Sequence, residues 1–536
     1  MLKTRIVSSM EKPFPDERIE SYNSISKMSA LLGERVSVQL LYVYEEDEEK
    51  RSFAPHRVEL SGDLAPFSTV RELKYVGVYK PVGIKFDDNY VRTSPGVYPD
   101  LLYPIGEDGN FCASLGILGS LWLDIELPSD SSFAGERELR VSVYRKGGLV
   151  SEDTLTVDLI GASLPKQKLV YTQWLSNESL VEYYSLSPWS KRHFEIIENY
   201  VSRARKYGMN MLMLPVFSGL VGIDKNGSNY SFSYSRLGKF LAMCDRVGIE
   251  YYEIPHLFTA GDAGWATSVA YTENGEKKSF SGTPANSPEY VAFLRAFLKS
   301  FIAYMKRRGR DGRCFYHIAD EPSLKNVELF RAAKDSVADI LDGYRVIDAI
   351  FDIEYYSMGL VTTPVPISDH IEPFLEAGVP NLWTYYCTGP QTKCSNRFIA
   401  QSGACTRSIG MQLYKYDLEG FLHWALNYYL GGDTGGVINP YVEHSGKSWV
   451  PAGDTFTLYP APSGAAYDSM RLLIFHDALQ DISAMRLCES LYSKDAVVSV
   501  IEDVLGCELR FSTCAKSSDA ILRIREKINE MIKAKI

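Results

Sequence analysis

No two of the nine cysteines scattered through the 536 residues form a C-x-x-C pair. That pattern fits free thiols in a reducing compartment rather than a disulfide framework. Cys387, Cys394 and Cys405 lie near one another in the chain, but their spacing matches no zinc motif, so no metal is expected. No apolar run approaches the ~18 residues of a membrane span, and no membrane partner is expected. The opening MLKTRIVSSMEKPFPDERIES lacks a secretory core of about 7–15 apolar residues behind a basic start, which makes the cytoplasm the expected location. Basic residues are in deficit, 57 Lys plus Arg against 67 Asp plus Glu for a net charge of −10. A nucleic-acid partner, which needs a basic surface, is therefore not expected. H-E-x-x-H, G-x-S-x-G and G-x-G-x-x-G are all missing, so neither a catalytic metal nor a bound cofactor is indicated. Gly446-Lys447-Ser448 resembles the end of a phosphate loop, but Tyr441 stands where that loop needs its first glycine.

Aromatic residues, in contrast, are plentiful: 35 Tyr and 24 Phe bring the aromatic share to 12%. Flat aromatic faces suit the apolar faces of sugar rings, and they also fill large cores.

The chain changes grammar near residue 164. Before it, short alternating runs at Arg35–Val43, Val70–Tyr79, Ser120–Leu127, Glu138–Tyr144 and Thr154–Leu159 are separated by turn clusters such as Ser61-Gly62-Asp63. They predict an antiparallel β-sandwich over residues 1–164. After it, strand and helix patterns alternate. Strands are expected at Lys168–Trp174, Met209–Val216, Glu250–Pro255, Cys314–Ile318, Tyr344–Phe351, Val365–Ile367, Asn381–Tyr386 and Gly420–Leu426. Helices are expected from a Ser187-Pro188 start to Gly208, over Arg236–Val247, from Ser287-Pro288 to Gly309, over Asn326–Leu341 and over Ser469–Leu487. An insertion carries a further strand at Thr455–Tyr459, and a last helix spans Ala520–Ile532. Eight such strands predict a (β/α)8 TIM barrel with C-terminal helices over residues 165–536. The fold expected is thus multidomain, β followed by α/β.

Barrels of this kind place their sites at the C-terminal ends of the strands. There the sequence offers Trp174, the run Tyr251-Tyr252-Glu253-Ile254-Pro255-His256, Asp320-Glu321-Pro322, Asp352, Glu354, Trp383, Tyr385, Tyr386, His423, Trp424, Asn427 and Tyr428. Carboxylates beside aromatic platforms point to glycosidic bond cleavage, in which an acid protonates the leaving oxygen. Adjacent residues of a regular strand face opposite sides, so Asp320 and Glu321 can share a pocket only where Pro322 breaks the strand into a loop. On this chemistry Glu321 is the proton donor and Asp320 polarises a group on the substrate, such as a 2-acetamido group. In the structural alternative Asp320 caps the next helix and Glu321 is merely solvated.

The run HIADEPS (317–323) resembles the Asp-Glu of glycoside hydrolase family 123, the β-N-acetylgalactosaminidases, and their relatives. The likeness continues through IEYYEIPHLFT (249–259), NLWTYYC (381–387), SNRFIA (395–400), LYKYDLEGFLHWALNYY (413–429), GDTFTLYP (453–460) and SMRLLIFHDALQDISAMRLCE (469–489), with YPDLLYP (98–104) in the preceding part. It implies a retaining, substrate-assisted glycosidase for terminal β-linked 2-acetamido-2-deoxy sugars, N-acetylgalactosamine favoured. In that scheme Asp320 orients the acetamido group, and Glu321 is acid and then base. Tyr385 or Tyr386 bonds the acetamido oxygen, Trp383 and Trp424 wall the pocket, and His256, Asn396, Arg397 and Asn427 contact hydroxyls. FSGLVGIDKN (217–226) and AGDAGWATSVA (260–270) depart from the family pattern, and both are expected at the barrel mouth. Two alternatives stand beside this reading: a retaining glycosidase whose nucleophile is Glu253 or Glu354 working against Glu321, and a non-catalytic glycan-binding protein. A carbohydrate is the expected partner, with a homo-oligomer left open.

Overall fold

The computed structural model describes residues 1–45, 55–261, 263–432 and 435–536. Two sheets build the N-terminal part. One runs Leu2–Ser8, Arg35–Tyr44, Gly119–Glu126, Ser68–Val78, Gly96–Pro104, and is extended at its edge by Ala466–Ser469 and Leu458–Pro460 from far along the chain. The other runs Lys27–Leu32, Gly148–Ser163, Gly135–Arg145, His56–Ser61, Asn110–Phe111. Pairing is antiparallel except between Lys27–Leu32 and Gly148–Ser163. Alternate residues of the two sheets, Val38, Leu40, Leu121 and Leu123 against Leu139, Val141, Leu155 and Val157, share one apolar core. Such alternation is what strand pleating requires when one face is buried.

The five strands expected here are present, and five more, Leu2–Ser8, Lys27–Leu32, His56–Ser61, Gly96–Pro104 and the short Asn110–Phe111, escaped the periodicity. Gly96–Pro104 carries two prolines, and its register against Ser68–Val78 shifts between Lys74 and Tyr75. That bulge spoils the alternation. It falls at Asp100, whose buried carboxylate accepts from Arg471 and Tyr459.

All eight expected parallel strands are found: β1 (Val170–Gln173), β2 (Met211–Met213), β3 (Tyr251–Ile254), β4 (Cys314–Tyr316), β5 (Arg345–Ile350), β6 (Thr363–Pro366), β7 (Trp383–Tyr385) and β8 (Gly420–His423). They form one sheet in the order β6-β5-β4-β3-β2-β1-β8-β7. A bridge between Ile367 and Tyr385, with the Ser368 amide donating to the Tyr385 carbonyl, brings the two edges together, so the sheet nearly closes into a barrel. Val170, Met211, Phe315, Ile347, Trp383 and Leu422 fill its interior.

Helices separate the strands, and several of them start at serine caps. Ser287, Ser402 and Ser469 each accept from an amide in the first turn, satisfying a donor the helix leaves unpaired. The first long helix differs from expectation: it is Lys191–Lys206, capped by Ser190 instead of Ser187, with Pro188 outside it. The expected helix Asn326–Leu341 divides into Val327–Asp335 and Ala338–Leu341. The expected strand at Thr455–Tyr459 is Leu458–Pro460, and the last helix is Ser518–Lys533. The two divergent segments after β2 and β3 come together: Gly222–Asn226, Asn229–Ser233, Ala270–Glu273 and Glu276–Ser279 form one small four-stranded sheet, with Asp224 opposite Thr272.

Candidate active site

Strand β4 ends at Tyr316, and the chain then leaves the sheet through His317-Ile318-Ala319-Asp320-Glu321. Glu321 takes a left-handed backbone conformation, φ 45°, which an L side chain adopts only at a cost. Neighbours hold it there: the Glu321 amide donates to the Ala349 carbonyl at 3.0 Å, and the Asp320 carbonyl accepts from the Gly261 amide at 2.7 Å. The left-handed turn releases the pair from strand alternation, and the Glu321 charge is felt at the Asp320 carboxyl. Tyr385, at the end of β7, donates its hydroxyl to Glu321 Oε1. Asp320 Oδ1 lies 3.8 Å from His256 Nε2, with 29% of the Asp320 side chain exposed. Desolvation, reinforced by the Glu321 charge, pushes the Asp320 carboxyl up to about 7.

Beneath the pair lies a layer of fully buried charge. Glu253 Oε1 meets His317 Nε2 at 2.7 Å and accepts from the Trp174 indole at 2.7 Å, while Oε2 accepts from the Thr172 hydroxyl at 2.8 Å. Asp348 accepts from the Ile318 amide at 2.8 Å and stands 3.8 Å from His317 Nδ1. Burial alone would lower the His317 pKa, but Asp348 and Glu253 on either side raise it to about 9, so the ring is an imidazolium. The neighbouring His256 ring, 4.4 Å away between centroids, is pushed well below the usual range by its own burial and by His317. It is neutral, with Trp174 against its edge.

The residues expected from sequence divide. Asp320, Glu321, Tyr385 and His256 come together as described. Trp424 follows β8 directly; its indole donates to Asp454 at 2.8 Å, and its ring meets Tyr428 and Trp449 at 5.2 and 5.7 Å. The Cys387 thiol feels charge from both groups. Burial pushes it up to about 12, and the Asp454 and Glu321 charges both add to the shift.

The other expectations are corrected by geometry. Trp383 is wholly buried: it faces Gly420 and Phe315 inside the barrel, two residues below Tyr385, and its indole donates to Glu419. It is a core plug, not a pocket wall. Tyr386, on the alternate face of β7, packs against Phe421 and His423. Asn427 spends its amide on the Ser176 backbone, accepting from its N–H and donating to its carbonyl, and so ties the segment after β1 to that after β8. Asn396 donates to the carbonyls of Cys387 and Pro390 and accepts from the Arg397 amide. Arg397, also buried, is occupied by Gln173, Ala425 and Asp454. All four are buried; the two asparagine amides are engaged, and the Tyr386 hydroxyl and Arg397 Nε, which have no hydrogen-bond partner among the described residues, are enclosed in the interior.

The expected assignments passed over Trp174, His317 and Tyr428, although all three stood at strand ends. Asp348 and Trp449 were missed outright. A lone aspartate within the apolar strand RVIDAI was the legible signal for Asp348.

A nearly closed parallel barrel carrying paired acids among aromatics at its strand ends has the layout of a glycoside hydrolase. The model of the glycoside hydrolase 123 catalytic domain matches residues 174–488, and the chain belongs to that family. Among solved structures it aligns with the family 123 glycoside hydrolase from Clostridium perfringens, solved to detail glycolipid glycan hydrolysis. The TM-score is 0.76 at 16% identity, covering 100% of this chain and 98% of the other. A family 5 xyloglucanase from Bacteroides ovatus aligns at TM-score 0.33 and 9% identity, over 89% of this chain and 100% of that one. No curated protein sequence matches.

Proposed function

We propose that this protein hydrolyses terminal β-linked 2-acetamido-2-deoxy sugars, N-acetylgalactosamine favoured, by a retaining, substrate-assisted mechanism. Its frame in this reading is a (β/α)8 barrel over residues 165–536 braced by a β-sandwich over residues 1–164. The observation that carries the proposal is the Asp320-Glu321 pair, held side by side beyond β4 with Tyr385 on Glu321. Glu321 gives its proton to the glycosidic oxygen as the bond to C1 breaks. Asp320 accepts the acetamido N–H, which makes the acetamido oxygen a better nucleophile; that oxygen attacks C1 and closes an oxazolinium ring. Water then loses a proton to Glu321 and opens the ring at C1, restoring the starting configuration. Tyr385 positions Glu321 in the free enzyme.

The carboxylates required by the alternative mechanism are poorly placed. Glu253 is buried with both oxygens bonded, and Glu354 is exposed in the first turn of the short helix Glu354–Ser357. The Clostridium relative's action on glycolipid glycans supports a glycan substrate here.

A panel of nitrophenyl β-glycosides with and without the 2-acetamido group tests the reading. Turnover is expected only with the acetamido group, together with inhibition by a thiazoline that mimics the cyclised intermediate. Equal turnover of plain glycosides, or indifference to the thiazoline, would overturn the substrate-assisted step.

A further inference from the structure

The Gly446-Lys447-Ser448 triplet has a conformation that no phosphate loop explains. All three residues are left-handed, with φ of 59°, 60° and 66°. L residues visit that region singly, and consecutive non-glycine residues there each carry a steric cost. The turn is held from several sides. The Ser448 amide donates to Ser445 Oγ at 2.9 Å, and the Ser445 amide and hydroxyl both donate to Glu443 Oε1 at 2.6 Å. Lys447 Nζ donates to the Gly435 carbonyl at 2.7 Å, and Lys80, in the loop after the strand Ser68–Val78, donates to the Ser448 carbonyl at 2.9 Å.

The strained turn delivers Trp449. Its side chain packs on Gly432, where a Cβ would meet Trp449 Cγ, Cβ and Cδ2 at 2.7–2.9 Å, and Gly431 makes the same room for the Lys447 stem. Trp449 stays 44% exposed, an unfavourable state for the largest apolar side chain unless something else covers it. It stands nearly perpendicular to Trp424 (80°) and at 48° to Tyr428, with centroids 5.7 and 6.0 Å away, so the three rings form an open corner.

The position of the corner indicates its ligand. Leu422 of β8 is the register partner of Tyr385, the residue bonded to Glu321, and Trp424 follows Leu422 by two residues. The corner therefore flanks the barrel mouth beside Glu321. A general acid must sit next to the leaving oxygen, so the aglycone departs on its side.

We propose that Trp449, with Tyr428 and Trp424, is the aglycone subsite, and that it stacks on the sugar ring next to the one released. This rests on the hydrolase reading above. It makes the enzyme selective for a carbohydrate aglycone, and Lys80 makes the N-terminal part a support of that subsite.

The test compares two substrates of the full-length enzyme, a disaccharide with a terminal β-N-acetylgalactosamine and the corresponding methyl glycoside. Trp449→Ala is expected to lower kcat/KM for the disaccharide at least about tenfold, as loss of an aromatic stacking face predicts. The methyl glycoside, with no second ring, should fall by less than about threefold. Trp449→Phe should recover most of the disaccharide activity, and an unchanged melting temperature shows that the fold persists. Equal losses on both substrates, or no loss on the disaccharide, would overturn the subsite while leaving the hydrolase reading intact. A wild-type enzyme inactive on both would overturn the two together.

Discussion

Asp320 carries two consequences of being a half-covered acid beside another acid. With its pKa at about 7, the folded chain holds a proton between roughly pH 4 and 7 that the unfolded chain has released, so stability falls as pH rises through that window. Asp320→Asn removes the penalty. The variant should be more stable than the wild type at pH 8 by about 1–3 kcal/mol, less than the full shift implies because 29% of the side chain is exposed. The gain should vanish near pH 4, and denaturant melts at both pH values check it. A gain that persisted at pH 4 would point to packing instead of charge. The same titration should limit activity. Below about pH 7 Asp320 is protonated and no longer accepts the acetamido N–H, so kcat/KM should fall toward acid with an apparent pKa near 7. Glu321→Gln should lose 10²-fold or more on substrates with poor leaving groups, and much less on a dinitrophenyl glycoside, which needs little proton donation.

Strand ends explain both what was legible and what was not. The eight parallel strands read directly from near-continuous apolar runs, as in MNMLMLPV (209–216), because both faces of such a strand are covered. The helix capped by Ser287 read equally well, since its cap is local chemistry. Trp383 and Tyr385 share the inward face of β7, so period-two alternation separates them from Tyr386 but cannot separate them from each other. Only the barrel register, Trp383 opposite Gly420 and Tyr385 opposite Leu422, places the first low in the core and the second at the mouth. Asn427, Asn396 and Arg397 resemble ligand contacts in a linear chain. The backbone groups that occupy them lie at Ser176, Cys387, Pro390 and Ala425, or belong to other elements brought close only by folding. The close packing of Trp383 on Gly420 also gives a test: a Cβ at Gly420 would stand 2.2 Å from the indole. Gly420→Ala should therefore destabilise by at least about 1–3 kcal/mol, read as a lowered denaturation midpoint, whereas a neutral result would mean that Trp383 has room to move.

At the scale of the molecule, the two N-terminal sheets and the barrel are joined through charge as well as apolar surface. Arg35 pairs with Asp124 of its own sheet at 2.7 Å and with Asp477 of the helix Met470–Leu491. Asp124 also pairs with Arg71, which reaches Asp468, and Asp468 holds Arg203 of the first long barrel helix at 2.7 Å. Further along, Arg525 joins Glu34 at 2.7 Å and Asp481 at 3.1 Å. All these groups except Arg203 are buried, and the pairs Arg35–Asp477, Arg71–Asp468 and Arg525–Glu34 join segments from the two ends of the chain. Burial would raise the Asp124 carboxyl, but Arg71 and Arg35 outweigh it and hold the group at about 2. Its stabilising contribution is therefore present above about pH 4 and lost as pH falls toward 2. Asp124→Ala takes one of two carboxylate partners from each of Arg35 and Arg71, leaving Asp477 and Asp468, and should cost about 1–3 kcal/mol at pH 7. Because the network and the strands Leu458–Pro460 and Ala466–Ser469 cross between the two parts, the wild type should unfold in one transition, with calorimetric and van't Hoff enthalpies equal. Two resolved transitions, only one of them shifted by Asp124→Ala, would show instead that the sheets and the barrel are independent folding units.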